Sequence, residues 1–201
     1  MRFSRLLVSF LLTFGFLVLS SGSSFGESIL IKGGTVLTVT GATFSPGDLL
    51  IENGRIKEVA REIPSPQGAQ IIDAKGKFVT PGLVDTHSHI GVYSFPFLEA
   101  NEDGNESTDP ITPHVRAIDS INLEDPAILR ALRGGVTTVQ ILPGSGNLIG
   151  GESAVIKLKP GATRLQDLLF LPAPRGMKMA LGENPKRNYG KQQHRAPATR
   201  I

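Results

Sequence analysis

The segment TPGLVDTHSH, residues 80–89, marks the point where the pattern of this sequence changes. Its first three residues form a turn signal, because Pro fixes φ and Gly tolerates turn conformations. The residues after them are apolar at first and polar at the end, which predicts a strand over 83–90. On a strand, side chains two positions apart point to the same face, so His87 and His89 are expected to lie side by side.

These two histidines can bind one metal ion from one side. Imidazole nitrogens ligate zinc at about 2 Å, and the spacing lets both rings reach the same ion. Asp85 lies on the same face, two residues earlier, where its carboxylate can orient a ligand imidazole. The motif also suits two histidines that are merely exposed or hydrogen-bonded at a strand end, and the residues alone leave both readings open.

The residues before this strand, 27–80, have the pattern of a small β domain. Short apolar runs alternate with turn formers, and Asn53-Gly54 separates two of the runs. An Asn-Gly pair in that setting indicates a hairpin, because both turn positions need a positive φ. We therefore expect a small antiparallel, sandwich-like β domain.

The residues after the histidines predict a strand–helix–strand unit. Residues 91–124 are irregular, and Asp125 can then cap a helix that begins at Pro126 and ends at the glycines of 134–135. Residues 136–142 are apolar without alternation, which is typical of a strand buried on both faces. A strand, a helix and a strand in this order form a parallel unit. Residues 153–158 predict a further short strand.

Composition excludes several functions. The 201 residues include 21 Lys and Arg against 18 Asp and Glu, a net charge of +3, and the basic residues are not clustered. Nothing therefore favours binding to nucleic acid. Cysteine is absent, which excludes disulfides, thiolate metal ligands and a cysteine nucleophile.

Residues 1–26 are typical of a secretory signal peptide. Two arginines precede an apolar run over 6–19, and Ser24 and Gly26 form a cleavage site of small residues. The run is shorter than the roughly 20 residues that a membrane-spanning helix needs. We predict an exported protein, periplasmic or extracellular, with no membrane attachment after cleavage.

The block at 80–89 resembles the first barrel strand of the amidohydrolase superfamily, where it follows a small β domain. Residues 134–139 resemble that family's helix end and second barrel strand, and 147–154 and 181–186 are similar to its exported, imidazolonepropionase-like branch. The resemblance extends over 28–201. It implies an α/β fold with a β domain over 27–80 and, over 81–201, the opening strands of a (β/α)₈ TIM barrel.

The resemblance also implies a metal-dependent hydrolase that cleaves an amide or other C–N bond of a small-molecule substrate. One or two divalent ions, zinc being the expected metal, would activate a water molecule at the mouth of the barrel. His87 and His89 match the family's first two metal ligands. The oligomeric state stays open.

Two residues are candidates for the ligand that bridges the metals in this family. Lys178 lies between two methionines in a short apolar run, and burial depresses the pKa of a lysine. The neutral amine is the form that CO₂ carbamylates. Glu183, just past the same run, would instead bridge directly through its carboxylate.

After His89 the sequence departs from the family's pattern. The remaining histidines are His114, in the irregular loop, and His194, in a polar tail, and neither has the setting of a barrel ligand. No strand-end Asp follows, and a whole barrel takes roughly 250 residues. We therefore expect the first part of a larger enzyme. The alternatives are an inactive metal-binding fragment, half-barrels that assemble in pairs, and a non-catalytic exported protein whose two histidines are incidental.

Overall fold

The structure is a computed structural model that describes residues 28–200. The chain divides into two compact units, of which the first ends at Thr80 and the second begins at Pro81. The predicted signal peptide, residues 1–26, lies outside the described residues. Within 28–200, no helix is long and apolar enough to cross a membrane.

The first unit contains one five-stranded sheet. Its strands are β1 (Ser28–Leu37), β2 (Thr43–Glu52), β3 (Arg55–Ala60), β4 (Gln70–Asp73) and β5 (Phe78–Val79). The order is β3-β2-β1-β4, and β5 also pairs with β1. Both β4 and β5 run parallel to β1, whereas β1–β2 and β2–β3 are antiparallel. The prediction of an antiparallel sheet was therefore wrong, because the chain after β3 loops back and returns alongside β1 in the same direction.

The hairpin between β2 and β3 confirms the Asn-Gly signal. Asn53 has a φ of 53° and Gly54 a φ of 71°, the left-handed conformations that this turn requires. Leu30, Leu50 and Ile63 are buried together beneath the sheet and form the core of this unit.

The second unit contains a four-stranded sheet that curls into a half-barrel. Its strands are β6 (Leu83–Ser88), β7 (Val136–Ile141), β8 (Ile149–Lys157) and β9 (Gly176–Met179), in that order. Helix α1 (Pro126–Arg133) joins β6 to the parallel β7, while β8 is antiparallel to both β7 and β9. The expected α/β fold class is confirmed.

Shorter helical segments occupy the connections of the second unit. There are 3₁₀ turns at Glu99–Asn101, Ala117–Ser120 and Leu165–Asp167, a single α turn at Glu183–Pro185, and a π-helix at Lys186–Gln192. Residues 91–124 are otherwise irregular, as predicted. Strand β8 begins four residues earlier than predicted, because the glycines at 150 and 151 obscured its β pattern.

Helix α1 has the boundaries that its capping residues predict. The Asp125 side chain accepts a hydrogen bond from the Ala127 N–H, Pro126 is the first helical residue, and Gly134 is the C-cap. Ile128 faces inward and packs with Val139 and Ile156 in the core beneath β7 and β8. The helix thus covers the parallel strand pair that ends at the histidines.

A buried carboxylate holds the first unit together. Asp48, on β2, is 3% exposed. One of its oxygens accepts a hydrogen bond from the Gly33 N–H at 2.8 Å, and the other accepts from the Ile63 N–H at 3.0 Å. These bonds pair two backbone donors at a bulge and at a loop, where the β ladder supplies no acceptor.

We expect Asp48→Ala to lower the free energy of unfolding by about 2–3 kcal/mol, because one buried and one partly buried backbone N–H group lose their acceptors. Denaturant titration followed by circular dichroism measures the change. Asp73→Ala is the matched control, since its exposed carboxylate accepts only a local bond from the Lys75 N–H. Equal losses in the two variants would contradict this role of Asp48.

Candidate metal centre

The two histidines lie at the carboxyl end of β6. His87 is on the strand and exposed, and His89 follows the last strand residue and is half-buried. Their ring centroids are 5.4 Å apart, with the planes inclined at 79°. The predicted juxtaposition of the two imidazoles is therefore present in the structure.

His89 is held by the end of the neighbouring strand. Its Nδ1 lies 2.9 Å from the carbonyl oxygen of Leu142, and the Leu142 N–H donates to the Ser88 carbonyl at 3.0 Å. A carbonyl can only accept, so Nδ1 carries the proton and Nε2 of the neutral ring is left with a free lone pair. Burial is the largest influence on His89 and lowers its pKa, which favours the neutral ring.

Lys178 comes to the same place from β9. It is 9% exposed, and its Nζ lies 3.4 Å from His87 Nε2. Strand β9 pairs with β8 so that Lys178 stands opposite Gly151, and Gly150 lies against its aliphatic chain. Burial lowers the pKa of Lys178. Lys178 Nζ and His87 Nε2 are within hydrogen-bond distance, and which of the two nitrogens donates depends on the tautomer of His87.

The other two predicted site residues have different partners. The Asp85 carboxylate accepts a hydrogen bond from the backbone N–H of His87 at 3.0 Å, so it braces the strand and does not contact a ring. The Glu183 carboxylate pairs with Lys191 at 3.0 Å and Lys186 at 3.1 Å. Hydrogen bonds from these two lysines lower the pKa of Glu183 to about 2.

Within residues 28–200, no group of three or more His, Cys, Asp or Glu side chains is placed to hold a metal ion. His114 and His194 are both exposed. The available donors are thus two imidazoles and the amine of Lys178. Zinc accepts imidazole nitrogens as ligands, and two imidazoles lie together at the end of β6, so the residues present fit part of a metal centre.

Sequence reasoning missed Tyr93. Its ring packs edge-on against His89, with centroids 5.4 Å apart and planes at 83°, and its N–H donates to the His89 carbonyl at 2.9 Å. Asn105 donates a hydrogen bond to its hydroxyl at 2.5 Å. The one available signal was an aromatic residue four positions after His89, at the start of the irregular loop.

A buried carboxylate also fixes the start of that loop. Asp125 is 2% exposed and, besides capping α1, accepts hydrogen bonds from the Gly91 N–H at 2.9 Å and the Phe95 N–H at 3.1 Å. These two donors flank Tyr93 in sequence. The helix cap therefore also holds the loop that places the phenol against His89.

Comparisons with known proteins found similar chains, although no protein-family model matches. The amidohydrolase tasK of Hapsidospora irregularis is 45% identical over 166 residues, which cover 77% of this chain and 17% of that protein. The imidazolonepropionase of Klebsiella pneumoniae (strain 342) is 33% identical over 125 residues, covering 55% of this chain and 30% of the relative.

A solved structure is similar over most of the chain. The crystal structure of an amidohydrolase from Thermotoga maritima MSB8 is 47% identical in sequence, with a TM-score of 0.78. The match covers 86% of this chain and 43% of that one. The present chain thus spans less than half the length of the proteins it matches.

The hydrogen bond to the Leu142 carbonyl predicts a definite tautomer for His89. Near pH 8 we expect His89 to carry the proton on Nδ1, which long-range ¹H–¹⁵N NMR spectra resolve. Burial lowers the pKa of His89, so its ring should stay neutral at a lower pH than the histidine of a short model peptide, which serves as the reference. A proton on His89 Nε2 would contradict the assignment.

Proposed function

The chain is homologous to amidohydrolase-superfamily proteins, and from this premise we propose that it carries the first part of a metal-dependent active site that hydrolyses an amide or other C–N bond. The observation that supports the proposal is the meeting of Lys178 with His87. These side chains are 91 positions apart in sequence, yet their nitrogens lie 3.4 Å apart.

His87 and His89 would hold a divalent ion through their Nε2 atoms. Bound there, such an ion supplies Lewis acidity, which polarises a carbonyl and activates water. Imidazole nitrogen is a common zinc ligand, so zinc is the ion that we propose. The protein's own part at His89 is to fix the ring, because the Leu142 carbonyl accepts the hydrogen bond from Nδ1 and leaves Nε2 free.

Lys178 is the bridging residue that we propose, as a carbamate. The Nζ lone pair of the neutral amine forms a bond to the carbon of CO₂, one C=O electron pair moves to oxygen, and the proton released from the nitrogen passes to solvent water. Partial burial and the lowered pKa favour the neutral amine that this step needs. The Glu183 carboxylate is already paired with two lysines, which makes it the weaker candidate.

The substrate class that we propose is a small molecule with an amide or related C–N bond.

We also propose, from residues 1–26, that the protein is exported to the periplasm or the exterior. Export is tested by Edman sequencing of the protein recovered from a periplasmic extract or culture medium. An N-terminus at Glu27 is the result that supports it. An intact residue 1 would contradict cleavage.

We expect His87→Ala to weaken zinc binding at least about tenfold, since even residues that only orient ligands cost 10–100-fold. Competition with a chromophoric chelator measures the affinity. His114→Ala is the matched control, because His114 is exposed and lies in a loop. Zinc affinity unchanged by His87→Ala would overturn the assignment of this ligand.

Carbamylation predicts a ¹³C NMR carbamate signal when the chain is equilibrated with ¹³C-bicarbonate. The signal should appear at a lower pH than for an exposed lysine, because the pKa of Lys178 is lowered. Lys178→Gln should abolish it, whereas Lys191→Gln, at an exposed lysine, should not. A signal that survives Lys178→Gln would refute the bridge.

Hydrolysis itself is tested by assaying zinc-loaded protein on dipeptides and cyclic amides. Turnover that His87→Ala abolishes is the expected result. Zinc binding without turnover would instead support the inactive metal-binding fragment, and failure of a folded sample to bind zinc would support the non-catalytic alternative.

A further inference from the structure

A polar cavity of about 330 Å³ opens beside the candidate metal centre, within the second unit. Tyr93 connects the two, since its side chain lines the cavity and its ring contacts His89. Asn105, Ser145, Asn184 and Arg187 also line it. Among the described lining residues, Arg187 is the one with a charge, and all the others are neutral.

Arg187 is not neutralised by a carboxylate within residues 28–200. Its Nη2 donates to the Asn184 side-chain oxygen at 3.3 Å, and the amide nitrogen of Asn184 donates to the Ser145 hydroxyl at 2.7 Å. Arg187 is exposed, as are Arg116, Arg164 and Arg175, but each of those three pairs with an acidic side chain at 2.6–3.0 Å. A guanidinium has five N–H donors, so Arg187 keeps a fork available for a ligand.

The Tyr93 hydroxyl is oriented as a donor at the other side of the cavity. Asn105 Oδ1 accepts from the Gly146 N–H at 2.7 Å, which leaves Nδ2 as the group that donates to the Tyr93 hydroxyl. The phenol O–H is therefore free to donate to a ligand. A Cβ at Gly104 or Gly144 would collide with the phenol, so these glycines form the slot that holds it.

We propose that this cavity is the substrate's acid-binding subsite, and the proposal rests on the hydrolase function proposed above. The substrate would be an N-acyl amino acid or a dipeptide, whose free carboxylate binds Arg187 and whose carbonyl oxygen accepts a hydrogen bond from Tyr93. The cavity is at the lower end of the roughly 300–1,000 Å³ that small-ligand sites occupy, which fits a ligand of this size.

The lining favours a carboxylate over other anions. A guanidinium binds a planar carboxylate through two parallel hydrogen bonds, and the neutral amides around it can satisfy a monoanion. A phosphate dianion would call for more than one cation. The site therefore discriminates by charge at one end of the ligand and by hydrogen bonding at the other.

The test compares two probes of the same size, N-acetyl-L-alanine and its uncharged amide, N-acetyl-L-alaninamide. Binding to the full chain without metal is measured by NMR titration at neutral pH. We expect the acid to bind about tenfold more tightly than the amide, because a charge-assisted pair is stronger than a neutral one. Arg187→Gln should remove the preference, and Arg187→Lys should retain part of it.

Two further variants make the result specific. Arg164→Gln, at an exposed arginine outside the cavity, is the matched control and should keep the full preference. Tyr93→Phe should weaken both probes by a similar factor of about five, because both contain the acetyl carbonyl. His87→Ala should keep the preference for the acid, so a failure of the metal proposal is distinguishable from a failure of this subsite.

Equal binding of the two probes by the unmodified chain would overturn the proposal, as would an undiminished preference in Arg187→Gln. Absence of binding of the acid at millimolar concentration has the same meaning. Inorganic phosphate is the remaining probe. Tighter binding of phosphate than of N-acetyl-L-alanine would show a phosphate-binding site and would overturn the proposed carboxylate subsite.

Discussion

The hydrogen bond from His89 to the Leu142 carbonyl is the contact on which the candidate centre depends. It exists because β6 and β7 are parallel and end at the same edge, where the Leu142 N–H continues the ladder to Ser88. The bond fixes both the orientation and the tautomer of the ring. Through the backbone bond from Tyr93 to the His89 carbonyl, it also places the phenol that lines the neighbouring cavity.

Local signals were sufficient to predict the elements around this contact. Three of these signals act within a few residues: the cap at Asp125, the glycines after α1 and the apolar run of β7. The spacing of the two histidines likewise indicates that both side chains lie at the end of one strand. The pairing of β9 was not predictable in this way. It depends on a register with β8 set by long-range packing, so the approach of Lys178 to His87 had no signal beyond a short apolar run. Tyr93 and Asn105 were missed because their partners are loop residues. The parallel pairing in the first sheet was missed because β4 and β5 pair with β1, from which the β2–β3 hairpin separates them in sequence.

Two buried carboxylates, one in each unit, accept hydrogen bonds from backbone N–H groups outside the regular ladders. Asp48 and Asp125 each accept backbone N–H bonds from segments that a strand or helix ladder does not satisfy, one in each unit. Burying a carboxylate costs free energy unless hydrogen bonds compensate for lost hydration, and here the bonds also fix a bulge of β1, a helix cap and loop segments. Stability and site geometry are therefore coupled at Asp125, since the bonds that cap α1 and those that flank Tyr93 share one side chain.

In the proposed centre, the charge at Lys178 would link metal occupancy to carbon dioxide. In its protonated form, Lys178 would place a positive charge 3.4 Å from His87 Nε2, where a divalent cation would bind, and a partly buried site screens that repulsion less than open water does. Carbamylation of the neutral amine would give the residue a negative charge, so it would change from opposing a cation to attracting it. By linkage, a cation that binds the carbamate more tightly must also stabilise it against loss of CO₂. Metal binding and carbamylation are therefore expected to favour each other. A higher CO₂ concentration should tighten metal binding, and a higher metal concentration should increase the carbamylated fraction of Lys178.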